Sequence, residues 1–339
     1  MNKQSNPIIQ DILYSRMLGT NTTSLFDIGG PSIMPHPLTD DLLEWYDKHK
    51  RSLPWRDIRT PYGTLISEVM LQQTQVSVVI PYYLKFLEKW PTLDRFFDAE
   101  LEEILSIWQG LGYYKRAHNL FKAKEIIHKD FKGKMPDNFE ALLSLPGIGK
   151  STAGAILSIA FSKPFAILDA NVKKVIARLF HKKQFNEKEF WHLSNSLLDK
   201  KDIFAYQQGI MDIGAKLCMP KKPQCHLCPM NKNCISNKKH SYITLEKKKA
   251  EKKEIFLEFS LISNGEKYFL SKNDELGFWK NLWMPPVAIV EKCSFDIVHQ
   301  LSHRSLKISF NIYEKTNPIV EGKWFSKEEL KTIGIPKPI

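Results

Sequence analysis

Cysteine is nearly absent from this chain, with five in 339 residues. So few, and clustered as if bound to a metal, they fit a reducing compartment rather than a disulfide framework. No apolar run reaches the length of a membrane span, and Met1-Asn2-Lys3-Gln4 does not open a secretory signal. A cytoplasmic protein without a membrane partner is therefore expected. Acidic residues are also in deficit, 37 against 49 Lys and Arg, leaving a formal net charge of +12. Such a surplus suits a polyanionic partner, and a lysine-rich composition without one gives the same number. Internal repeats are missing, and the length allows two domains with a core in each.

Four of the five cysteines crowd into one stretch: Cys218, Cys225, Cys228 and Cys234, spaced C-x6-C-x2-C-x5-C, with Cys293 left over. Thiolates so spaced can enclose a metal centre on one loop. Pro220, Pro223 and Pro229 argue against a helix there and for a turning backbone. A zinc site more often shows two close Cys pairs across a longer gap. One close pair flanked by single cysteines suits a [4Fe–4S] cluster better, in either an electron-transfer or a structural role.

The rest of the pattern divides the chain. Residues 1–36 read as a flexible N-terminal arm, broken by Gly29-Gly30-Pro31 and Pro35. Residues 37–236 are helical almost throughout and lack a convincing strand, so this domain should be all-α. Pro61 should open a helix running to Val79, and Pro81 a second one closing near Trp90. Further helices are expected at about 101–109, 115–129, 137–144, 150–161, 170–180 and 187–214. A Lys-rich linker at 237–254 carries Lys238, Lys239, Lys247, Lys248, Lys249, Lys252 and Lys253, and can also touch phosphates. After it the period changes to alternation, with strands expected at 255–262, 267–270 and 305–310 in a smaller α+β module, 255–339. The chain as a whole is thus α+β.

A hairpin lies at about 142–157, where Leu145-Pro146-Gly147-Ile148-Gly149-Lys150-Ser151 joins two helices. Two glycines permit a tight turn, and exposed N–H groups at a helix start can hold a phosphate. A plain packing corner is the bland alternative. Gly149-Lys150-Ser151 resembles the end of a nucleotide P-loop, but that motif needs glycine where Ser144 stands. Downstream, Asp169 enters a helix in Leu168-Asp169-Ala170-Asn171, as an N-cap would. Upstream, Glu68 sits between Ile66 and Val69 on an apolar face, where burial would raise its pKa. Two carboxylates beside a phosphate-binding hairpin suggest N-glycosidic cleavage on DNA. One would protonate the base and the other would stabilise a cationic sugar.

Hairpin, Asp169 and Cys quartet, in that order, resemble the helix-hairpin-helix DNA glycosylases of the endonuclease III superfamily. Leu53-Pro54-Trp55-Arg56, Ser67-Glu68-Val69-Met70-Leu71-Gln72-Gln73-Thr74 and Gly110-Leu111-Gly112-Tyr113-Tyr114 narrow the resemblance to the MutY family of adenine glycosylases. The similarity covers about 38–339.

The resemblance implies that Glu68 protonates adenine, that Asp169 stabilises the sugar cation and that Asn171 supports the site. It implies an adenine pocket from Arg51, Leu53, Trp55, Arg56, Gln208 and Met211. Gln73, Thr74 and Tyr114 match residues that wedge into the duplex beside 8-oxoguanine. Gly147, Gly149, Lys150 and Ser151 match the DNA-binding hairpin. Strand-nicking relatives carry a nucleophilic lysine where Ser151 stands, so a monofunctional enzyme is expected, with Lys173 able to trap an abasic product weakly. The 255–339 module resembles a Nudix-like domain without the glutamate-rich hydrolase box, in which Ser302 and His303 would recognise 8-oxoguanine; Leu301 replaces the family's usual aromatic. The implied cofactor is a [4Fe–4S] cluster that steadies Lys221 and Lys222 against DNA. The implied partner is double-stranded DNA holding A:8-oxoguanine or A:G mispairs, met by a nucleoid-associated monomer. A bifunctional pyrimidine glycosylase and lyase, and a non-enzymatic iron–sulfur DNA binder or electron carrier, are the alternatives.

Overall fold

The computed structural model describes residues 37–183, 186–199, 201–244, 251–273, 275–292, 294–314 and 317–339. The arm at 1–36, part of the lysine linker (245–250) and Cys293 lie outside the described residues.

Helices run α1 Pro37–His49, α2 Pro54–Asp57, α3 Pro61–Leu71, α4 Val76–Lys89, α5 Leu93–Phe97, α6 Leu101–Ile107, α7 Lys115–Asp130, α8 Phe139–Ser144 and α9 Lys150–Ala155. A π turn, Ile156–Ala160, extends α9. There follow α10 Ala170–Leu179, α11 Glu187–Ser196, α12 Ile203–Asp212 with a π turn Ile213–Leu217, and α13 Ile235–Lys238. Two expected helices are each divided. The one opening at Pro61 stops at Leu71, because Gln73 takes a left-handed conformation (φ +59°) and reverses the chain. Pro81 does not open a helix but lies inside α4, where it forfeits one helix hydrogen bond. The stretch expected at 187–214 breaks where Asp199 accepts the N–H groups of Lys201 and Asp202, and Asp202 then caps α12.

The C-terminal region forms one seven-stranded sheet: β1 Lys253–Ser263, β2 Lys267–Lys272, β3 Trp283–Met284, β4 Val287–Val290, β5 Ile297–Gln300, β6 Arg304–Glu314 and β7 Lys323–Ser326. The order is β3-β2-β1-β6-β5, with β4 on β1 and β7 on β2. β1 and β6 pair in parallel from Lys253↔Arg304 to Ser263↔Glu314, and the other pairs are antiparallel. The expected helical share of this module is a single 3₁₀ turn, Glu329–Lys331, among the described residues.

Two compact units follow from the contacts, and they do not follow chain order. One joins residues up to Arg51 with Ser162–Leu245. Its core gathers Leu42, Val172, Ile176, Leu193, Tyr206, Ile210 and Ile213. Gly209 lets α1 close on α12, since a Cβ there would meet Leu42 Cδ2 at 2.6 Å. The other joins Ser52–Phe161 with Glu246–Ile339, so the sheet packs with helices α2–α9. Tyr114 donates to the Ile335 carbonyl, Lys272 pairs with Glu102 at 2.8 Å, and Gly334 packs on Leu105 and Leu282.

Candidate active site

Within the unit that carries the sheet, α3 presents Glu68. Thr60 caps this helix by accepting the Gly63 N–H at 3.0 Å, and Pro61 supplies a pre-set φ at its start. Leu65, Ile66, Val69 and Met70 are buried, leaving Glu68 half-buried. At the end of α3 the Gln72 amide donates to the Gly147 carbonyl (3.1 Å) and to Thr152 Oγ1 (3.4 Å), binding the Glu68 helix to the hairpin. In the hairpin Gly147 has φ +81°, and a Cβ there would sit 2.9 Å from Asn119. Ile148 is buried as an anchor, while Gly147, Gly149 and Lys150 are exposed and Ser151 is half-buried. Gln73 is exposed and Thr74 half-buried on the turn after α3. Leu53, Trp55 and Arg56 are all buried, Trp55 edge-on to Tyr83 with ring centres 5.4 Å apart.

The Gly110–Tyr114 turn corrects one assignment. Gly110 (φ +88°), Gly112 (φ +78°) and Tyr113 (φ +51°) all take left-handed conformations in this turn. Tyr114 is 8% exposed, and its hydroxyl bonds Gly110 N and Ile335 O, so it is not free to wedge into a duplex. The exposed aromatic is Tyr113, at 44%. Ser302 donates to the Tyr113 hydroxyl at 2.7 Å, and His303 beside it is exposed.

In the other unit, residues 163–169 lead to Asp169 and are held by Gln207 on Phe165 O (2.6 Å) and Ser194 on Ile167 O (3.1 Å). Asp169 caps α10, accepting the Val172 N–H at 2.7 Å. Its other oxygen accepts from the Asn171 amide at 3.4 Å. Burial pushes the Asp169 pKa up, against these hydrogen bonds and the nearby Lys174. Gly214 is needed beside Asn171, because a Cβ would meet Asn171 Cβ at 2.6 Å. Lys173 is bound to both carboxylate oxygens of Glu187. Gln208 is buried and Met211 half-buried on α12. Arg51 reaches the same helix through Asp212, Nε to Oδ1 at 2.6 Å. Asp212 is fully buried and was not singled out by sequence, where only its place four residues after Gln208 would point to it.

The four cysteines are partly buried thiols on the core edge of this unit, with Cys218, Cys228 and Cys234 packed against its cluster of apolar side chains. Burial pushes Cys228 up to about 12, and the charges of the other three add to that shift. Arg178 donates to Cys218 Sγ at 3.4 Å and to the carbonyls of Cys218, Met219, Pro220 and Ile243. Among the described residues no three Cys, His, Asp or Glu groups converge as they would on one metal ion. The donor chemistry fits a cluster, which takes one thiolate on each of four irons and needs a counter-charge such as Arg178.

The family model of the HhH-GPD superfamily of base excision DNA repair proteins matches residues 66–198. An adenine DNA glycosylase of Buchnera aphidicola subsp. Schizaphis graminum (strain Sg) is 36% identical over 332 residues, covering 88% of this chain and 95% of that protein. One from Homo sapiens is 40% identical over 207 residues, 57% of this chain and 38% of the human protein. A solved thermostable thymine-DNA glycosylase superposes with a TM-score of 0.55 at 33% identity, over 59% of this chain and 94% of that one. The chain belongs to the adenine DNA glycosylases, enzymes of the HhH-GPD superfamily of base excision DNA repair.

Proposed function

We propose that the chain removes adenine mispaired with 8-oxoguanine or guanine in duplex DNA, as a monofunctional glycosylase that leaves the strand intact. The observation that carries this reading is the 2.7 Å bond from Ser302 to Tyr113. It seats exposed polar side chains of the sheet region on a turn of the same unit that holds Glu68, where they can read a base opposite the extruded adenine.

Glu68 acts as general acid on N7 of the extruded adenine. The C1′–N9 bond breaks, its electron pair leaving with the neutral base. The Asp169 anion stabilises the sugar cation until water adds at C1′ and gives up a proton, which restores the Glu68 acid. Asn171 orients Asp169. By the family resemblance, Arg51, Leu53, Trp55, Arg56, Gln208 and Met211 are the residues assigned to contact the extruded adenine. Gln73, Thr74 and, in place of Tyr114, Tyr113 fill the gap in the duplex, while the Gly147–Ser151 turn and Lys221 and Lys222 contact phosphates. Ser151 offers no amine for a Schiff base, and Lys173 is engaged by Glu187. Cys218, Cys225, Cys228 and Cys234 hold a [4Fe–4S] cluster, whose contribution when bound is to cross-link their loop. Residues 255–339 act as a Nudix-like reader of 8-oxoguanine through Ser302 and His303, in a monomer that works on the nucleoid.

A glycosylase assay on A:8-oxoguanine, A:G and damaged-pyrimidine duplexes tests this. Base loss from the first two, with strand breakage only after alkali or heat, is expected. Cleavage of the strand without that treatment, or a preference for pyrimidines, overturns it.

A further inference from the structure

Arg116 is buried on α7, at 7% exposure, and is not among the residues given a role above. Its Nη1 donates to the carbonyls of Val69 (3.0 Å), Met70 (2.6 Å) and Gln72 (2.7 Å), and Nη2 donates to Gly112 (3.0 Å). The guanidinium lies 5.5 Å from the Trp108 ring centre and 5.4 Å from that of Tyr113. Three of those carbonyls belong to the end of α3 and the turn after it, where helix carbonyls lack partners and the helix dipole is negative. A cation there both caps the helix and fixes where its last turn points. Burial lowers the Arg116 pKa only to about 10, so the charge persists at neutral pH.

The same guanidinium therefore touches the helix of Glu68, one turn from that carboxylate, and the ring to which Ser302 is bonded. We propose that Arg116 is a positioning residue that couples recognition of the opposite base at Ser302 and Tyr113 to the placement of Glu68. The proposal rests on the reading of Ser302 and Tyr113 as opposite-base contacts. A guanidinium is a planar fork, so a shift of the Tyr113 ring against one of its faces is passed to the carbonyls that its terminal nitrogens hold. Lysine would keep the charge but cannot reach four carbonyls while stacking between two rings.

Single-turnover excision by the full chain tests this on A:8-oxoguanine and A:G duplexes, with burst amplitudes counting only active enzyme. Arg116→Lys should lose rate on A:8-oxoguanine by about tenfold while losing little on A:G, so that the preference collapses. Adding Ser302→Ala should then change the ratio of rates hardly at all, since the two residues act in series. A purely structural role predicts a lower amplitude, or equal losses on both duplexes, with the preference intact; either result overturns the proposal. Hydrogen exchange on the unmodified protein provides a second reading that does not depend on how the variant folds. Amides at 66–76 should gain protection with a non-cleavable adenine analogue opposite 8-oxoguanine beyond that opposite guanine, and equal protection overturns the proposal. If the unmodified chain excises adenine equally from both duplexes, the functional reading itself fails. A wild-type preference retained by Arg116→Lys defeats the coupling alone.

Discussion

Ser302 donates its hydroxyl to the Tyr113 phenol oxygen at 2.7 Å across 189 residues of sequence. The sheet loop and the Gly110–Tyr114 turn are thereby one surface, and that surface is continuous with the end of α3 through the Arg116 fork. On the proposed function, a glycosylase that acts on a normal base, adenine, takes its specificity from the other strand. This contact lies among exposed side chains suited to supplying it.

Ser302→Ala with His303→Ala should weaken the preference for 8-oxoguanine over guanine. One hydrogen bond is worth about 1 kcal/mol, or about fivefold in the ratio of single-turnover rates. Equal ratios in the variant and the unmodified chain would remove the pair as readers.

The two adjacent tyrosines should separate cleanly. Tyr114→Phe leaves the Gly110 N–H and the Ile335 carbonyl without their partner and should cost about 1–2 kcal/mol of stability while excision survives. Tyr113→Ala removes an exposed ring, should cost no more than about 1 kcal/mol, and should depress binding and excision on mispaired duplexes. Denaturant unfolding and gel-shift titrations distinguish these, and a reversed pattern restores Tyr114 as the wedge.

Asp212 offers a test of the adenine pocket. Its carboxylate is fully buried and holds Arg51 by Nε and by the backbone N–H. Asp212→Ala removes the buried carboxylate that holds Arg51 Nε and N–H and should cost about 3–5 kcal/mol, with excision falling even at temperatures where the variant is folded. Thermal unfolding beside single-turnover rates would show stability and rate unchanged if Arg51 needs no such anchor.

Much of this site is legible in sequence because local rules carry it. Asp169 precedes an amphipathic run and does cap α10, and the helix expected at 170–180 is found at Ala170–Leu179. Four of the seven strands escape notice, since Trp283–Met284, Val287–Val290, Ile297–Gln300 and Lys323–Ser326 are too short for alternation to be counted. Which of two neighbouring tyrosines faces out depends on φ angles at Gly110, Gly112 and Tyr113, and residue identity does not determine these. Asp212 escapes for another reason: its partner Arg51 is 161 residues away.

The cysteine loop predicts a metal content. Protein purified without air should carry about four irons per chain, and Cys228→Ser should lose them together with DNA affinity. Binding should also weaken steeply with salt, as phosphate contacts require. A full iron complement in Cys228→Ser, by colorimetric assay and visible absorption, would refute the four-thiolate assignment.

Asp169 gives a pH signature. Its folded pKa lies above the ordinary value of 3.8, with burial the largest cause. The folded state therefore binds this proton more tightly than the unfolded state does. The stability that follows is fully present below 3.8 and is lost as pH rises through the higher folded value. The ionised form that the chemistry requires is therefore held at a cost to the fold. Asparagine caps helices as well as aspartate does and carries no charge to desolvate. Asp169→Asn should therefore abolish most excision while raising the Tm at pH 7, and that advantage should shrink as pH is lowered toward 3.8. Thermal melts of both proteins from acid to neutral pH measure it. An advantage independent of pH would mean that Asp169 does not titrate upward, and a Tm lowered at every pH would mean that its charge stabilises the fold.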